Sequence, residues 1–63
     1  MDFNEALDQL LDGKKIHKLE WNDLNYYGIM NKEILSLHKP DGKTYQWAIS
    51  EADICGKDYV VIG

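Results

Sequence analysis

A single amphipathic stripe at helical spacing opens this sequence, and no later stretch sustains that period, so one helix must cover everything that follows. Phe3, Ala6, Leu7, Leu10 and Leu11 fall on its apolar face, while Asn4, Glu5, Asp8 and Asp12 take the outward one. Asp2 is placed to cap the helix, Glu5 completes a capping box, and Gly13 can take the left-handed position that ends it. From Lys14 onward the period shortens towards two. Residues 15–19 read as a first strand that runs into Glu20, Trp21 and Asn22. After the turn formers Asn22, Asp23 and Asn25, residues 26–30 and 33–38 read as two strands joined through Asn31 and Lys32 as a tight hairpin.

Lys39, Pro40, Asp41 and Gly42 punctuate the chain again and introduce residues 44–49, an aromatic strand with Tyr45 and Trp47 on one face. Ser50, Glu51 and Asp53 open a single helical turn that Gly56 can close, and residues 58–62 form the last strand. The predicted fold is α+β. It is a single domain, residues 1–63, with an N-terminal amphipathic helix on a small antiparallel sheet of about five strands and a short helical turn before the last strand.

A chain of this length has little interior. Folding buries roughly 6,400 Å² of roughly 10,600 Å². If about 60% of that is apolar the gain is on the order of 95 kcal/mol, and ordering the chain costs about the same. One cysteine cannot form an internal disulfide, so burial between copies is the expected supplement and a homo-oligomer the expected state. Cys55 reads as a free thiol acting as a small hydrophobe.

Charge narrows the partners. Seven lysines, no arginine and eleven acidic residues give a net charge of −4, which removes both the basic stripe and the guanine-reading side chain that nucleic-acid binding uses. Acidic residues at positions 2, 5, 8 and 12 do not make a secretory leader, and the longest apolar run, residues 59–62, is far too short to span a bilayer. A cytoplasmic protein without nucleic-acid or membrane partners is expected.

His17, His38, Cys55, Ser36 and Ser50 are the candidate nucleophiles and bases, but they fall on different elements without a nucleophile elbow or a glycine-rich phosphate loop. The two His and one Cys have no metal-ligand spacing, so neither an enzyme nor a metal or cofactor site is expected. The aromatic residues point elsewhere. Trp21, Trp47 and four tyrosines can be core, or they can form a platform on which a purine stacks, with Lys14, Lys15 and Lys18 meeting phosphate. The same lysines also suit a solvated strand edge, and the same aromatic patch also suits a small protein-interaction module that docks on a host protein or serves the virion.

Gly13, Lys14, Lys15, Ile16 and Lys18, then Trp21 and Asn22, later Trp47, Ser50, Ala52 and Asp53, and the closing Asp58, Tyr59, Val60 and Val61 stand in an order that resembles the Thoeris anti-defence 2 family of phage proteins. The resemblance runs from Asp2 to Ile62. It implies a non-enzymatic sponge, assembled as a homotetramer, that sequesters a cyclic ADP-ribose-type immune signal or a cyclic dinucleotide in the host cytoplasm. By position it implies that Trp21 and Trp47 line the nucleotide pocket, with Phe3 and His17 or Lys18 as further contacts. Lys18 stands where the family commonly has arginine, Ile49 where proline often precedes Ser50, and Tyr59 in place of a final tryptophan; the stretch between Asn22 and Trp47 is short.

Overall fold

A computed structural model describes residues 1–63. The elements run α1 (Phe3–Leu11), β1 (Ile16–Lys18), β2 (Tyr27–Asn31), β3 (Ile34–His38), β4 (Thr44–Gln46), α2 (Glu51–Cys55) and β5 (Tyr59–Val61). The strands form one open antiparallel sheet in the order β4-β3-β2-β1-β5, and α1 packs over β1, β2 and β5. This is the α+β arrangement expected from the sequence.

Both ends of α1 close as its sequence predicts. Asp2 accepts from the Glu5 N–H at 2.9 Å, and the Glu5 carboxylate accepts from the Asp2 N–H at 3.4 Å. At the far end Gly13, at φ +87°, lets its own N–H reach the Leu10 carbonyl and the Lys14 N–H reach that of Gln9, the paired closure of a Schellman motif. Phe3, Ala6 and Leu10 are the buried stripe, with Leu7 partly covered. Leu11 is not part of it. At 67% exposure it lies about 100° around the helix from Leu10, past the edge of the sheet-facing side.

The register decides which side chains share a face. Ile16 pairs with Gly28 and Val61, and Gly28 with Leu37, so these project to the side covered by α1. Two expectations shift along the chain. The β2–β3 hairpin turns at Lys32 and Glu33, both at positive φ (52° and 67°), one residue later than the Asn31 and Lys32 turn read from the sequence. Pairing Met30 with Leu35 and Gly28 with Leu37 aligns the apolar faces, and that alignment outweighs the turn preference of Asn31, which pairs with Ile34 and so ends the ladder. The fourth strand ends at Gln46 rather than at residue 49. The Trp47 N–H still bonds to the Leu35 carbonyl at 2.9 Å, but beyond it the chain leaves the sheet for α2, where Asp53 takes the indole N–H.

Phe3, Ala6, Leu10, Ile16, Trp47 and Tyr59 make the core. The folded chain exposes 4201 Å². That is the area expected of a compact chain of its size, so the core is as complete as a protein this small allows.

Candidate functional site

Aromatic rings from α1, β1, β5, the segment after β4 and the β1–β2 connection meet in one continuous row. Phe3 meets Trp47 edge-on at 6.2 Å between centroids and Tyr59 at 5.8 Å. Trp47 meets Trp21 at 5.9 Å. Trp21 then lies parallel to Tyr26, 4.3 Å away and inclined by 15°, and touches the His17 ring at 5.9 Å. Lys18 completes the group, its ammonium 5.8 Å from the centre of the Tyr59 ring. The five residues singled out in the sequence, Trp21, Trp47, Phe3, His17 and Lys18, are therefore neighbours in space.

Burial separates them into a surface and a support. Phe3, His17, Lys18 and Trp47 are buried, Trp47 at only 6% exposure, whereas Trp21 and Tyr26 are half-buried. Trp47 sits low because Gly28 makes room. A Cβ on Gly28 would stand 2.6 Å from the Trp47 Cζ3 atom, so the indole lies directly on the β2 backbone. Its N–H donates to Asp53 at 3.3 Å. Desolvation raises the Asp53 carboxyl, but the Ser50 backbone and hydroxyl and the Trp47 indole outweigh it and hold that carboxyl below the ordinary range.

The β1–β2 connection places Trp21. The Trp21 N–H bonds to the Lys18 carbonyl at 2.8 Å, so the chain turns sharply as it leaves β1. Asp23, one of the turn formers noted in the sequence, then accepts from Asn25 through its side chain and from Tyr26 through its carbonyl. His17 Nδ1 lies 2.8 Å from the Tyr26 carbonyl. A carbonyl only accepts, so Nδ1 carries the proton, and this bond fixes the residue on which Trp21 stacks.

The three lysines considered for phosphate all have partners. Lys14 lies 3.8 Å from Asp12, Lys15 stands over the Tyr27 ring at 5.0 Å, and Lys18 is paired with Glu20. At the other end of the aromatic row, an open cleft of about 230 Å³ lies between the start of α1 and the end of α2, with Phe3, Asn4, Ile54, Cys55 and Lys57 on its walls. Tyr26 and Gly28 are site-building residues that sequence reasoning did not single out, and Asp53, read there for its helical turn and its place in the resemblance, is also the anchor of the Trp47 indole. Tyr26 was one tyrosine among four, and nothing along the chain marks Gly28 or Asp53 as the floor and anchor of a distant indole.

Ser36 donates to the Ile34 carbonyl and Ser50 caps α2, so these hydroxyls are occupied structurally, as His17 is by Tyr26. No group of three or more His, Cys, Asp or Glu side chains gathers where it could hold a metal ion.

The Thoeris anti-defense 2-like domain matches residues 1–62, all but the last residue of this chain. The chain belongs to that family. Membership in the Thoeris anti-defense 2-like family implies a role against Thoeris defence, and the family is not known as one of enzymes. No curated protein matches the chain. In this Thoeris anti-defense 2-like chain no helix is long and apolar enough to cross a membrane.

Proposed function

We propose that this protein counters Thoeris defence by binding a cyclic nucleotide immune signal, a cyclic ADP-ribose isomer or a cyclic dinucleotide, and holding it intact in the host cytoplasm. The observation that carries this reading is the parallel, half-buried stack of Trp21 on Tyr26, 4.3 Å apart. A flat purine extends such a stack, and each base–aromatic contact is worth roughly 1–3 kcal/mol. Trp21 is the contact ring. Trp47 and His17 brace it from below, Phe3 links the row to the cleft, and Lys18 serves the same cluster.

A ligand of this size takes a pocket of roughly 300–1,000 Å³, and the cleft of about 230 Å³ in one chain falls short of it. A second copy closes the pocket in this reading, giving a dimer or tetramer whose seams hold the ligand. Leu19 at 62% and Leu24 at 67% exposure lie in the same connection as Trp21 and supply apolar surface for that contact. The lysines whose ammonium groups are not enclosed remain to meet phosphate. No bond of the ligand is broken.

Trp21→Ala is expected to abolish capture, read by calorimetry, while the helical circular dichroism signal stays; unchanged affinity rejects the assignment. Protein purified from infected cells, boiled and filtered, is expected to release an intact nucleotide. Recovery of a cleaved product would mean hydrolysis. The exposed Leu19 and Leu24 also favour a second reading, a module that docks on a host or virion protein. It predicts a stoichiometric protein partner and no rise in melting temperature with nucleotide.

A further inference from the structure

The Lys18 side chain is buried and its ammonium already holds an anion. Only 8% of its side chain is exposed, and it pairs with Glu20, whose own side chain is 61% exposed. The Lys18 stem runs past the Tyr59 ring and past Gly56, where an added Cβ would stand 3.0 Å from the Lys18 Cε atom. A buried ammonium without a partner is costly, so Glu20 is held to it even though water is available on its other side.

That pairing lies across the turn that aims Trp21. Trp21 donates its N–H to the Lys18 carbonyl, and the two residues between them are tied to the start of β5. The Leu19 N–H bonds to the Asp58 carbonyl at 3.0 Å, and the Glu20 N–H bonds to Asp58 Oδ2 at 3.1 Å. The ion pair therefore spans this turn, and Asp58 holds the turn against the sheet. Removing any one of the three groups leaves the segment before Trp21 with one attachment fewer.

We propose that Lys18, Glu20 and Asp58 form a clasp that positions the Trp21 indole on Tyr26, acting through the turn and not by touching the ligand. The inference rests on the reading of Trp21 as the ring on which the ligand stacks. The clasp explains why a buried cation lies so close to the site in an acidic protein that encloses no other lysine. It also assigns a role to Glu20, an exposed acid that would otherwise oppose an anionic ligand beside Trp21.

The test uses the full chain labelled with ¹⁵N and reads the two indole N–H signals separately in Lys18→Met, Glu20→Ala and Asp58→Ala. The Trp21 signal is expected to shift and broaden in all three, while the Trp47 signal, held by Asp53, stays sharp. Glu20→Gln keeps an acceptor for Lys18 and is expected to restore most of the Trp21 signal. With cyclic ADP-ribose as probe, a loosened Trp21 should weaken binding about tenfold, equivalent to roughly 1.4 kcal/mol. An unchanged Trp21 signal in Lys18→Met and Glu20→Ala overturns the clasp, whatever the probe does. So does a Lys18→Met variant that loses affinity with Trp21 still ordered, because Lys18 would then be a direct phosphate contact. A loosened Trp21 with unchanged affinity supports the clasp and overturns the stacking reading instead.

Discussion

Gly28 and Trp47 form a pair that neither residue reveals alone. The indole occupies the space where a Cβ would project, with Cζ3 at 2.6 Å and Cε3 at 3.1 Å from that position, and the contact is with ring atoms that Phe3 and Trp21 hold in place. Gly28→Ala is therefore expected to destabilise the fold by about 1–3 kcal/mol through overpacking, measured by urea unfolding. It should also disturb Trp21, which leans on the displaced ring. Core packing and a stacking platform are both readings of Trp47 in the sequence, but which aromatic residues are enclosed is not legible there: strand spacing puts Trp47 beside Tyr45 on one face, and Tyr45 is 41% exposed while Trp47 is enclosed. What separates them is the chain's departure towards α2 just after Trp47, an event decided by Asp53 rather than by the strand's own pattern.

Among the elements, the two helices were readable because their caps are local. Asp2 with Glu5 and Ser50 with Asp53 each satisfy end groups within four residues of sequence, so the signal lies in the spacing itself. Asp53→Ala removes the reciprocal cap of α2 and the indole anchor together. A loss of about 1–2 kcal/mol is expected, read as a lowered melting temperature, with Trp47 emission moving to longer wavelength. The sequence places the β2–β3 turn one residue early because two cross-strand apolar pairs, Met30 with Leu35 and Gly28 with Leu37, override the turn preference of Asn31. As a result Lys32 and Glu33 occupy left-handed backbone at φ 52° and 67°. Lys32→Asn with Glu33→Gly suits such a turn and is expected to stabilise the protein by about 1–2 kcal/mol, measured by thermal melting.

For the molecule as a whole, three groups beside the aromatic row contribute to the dependence of stability on pH. The hydrogen bond to Glu20 raises Lys18 despite the opposing effect of burial, and burial raises Tyr59 despite the nearby Lys18 charge. A raised pKa contributes stability that is present below the unfolded value, about 10.4 for lysine and about 10 for tyrosine, and that is lost as pH climbs through the folded value. Asp53 is depressed, so its contribution is present above about pH 3.9 and is lost as pH falls through its folded value. Thermal melts are thus expected to fall away above about pH 10 and below about pH 4, with the alkaline loss reduced in Lys18→Met.

Local pattern determined a great deal here: the capped first helix, the number of strands and their succession along the chain, and the short second helix are all set by neighbours a few positions apart. Convergence was decided only in three dimensions. The β4-β3-β2-β1-β5 order brings Phe3, Trp47 and Trp21 into one row from distant parts of the chain, and burial then divides that row into the Trp21 and Tyr26 surface and its support. Periodicity reports which way a side chain points from its own element, whereas enclosure depends on what the rest of the chain lays over it.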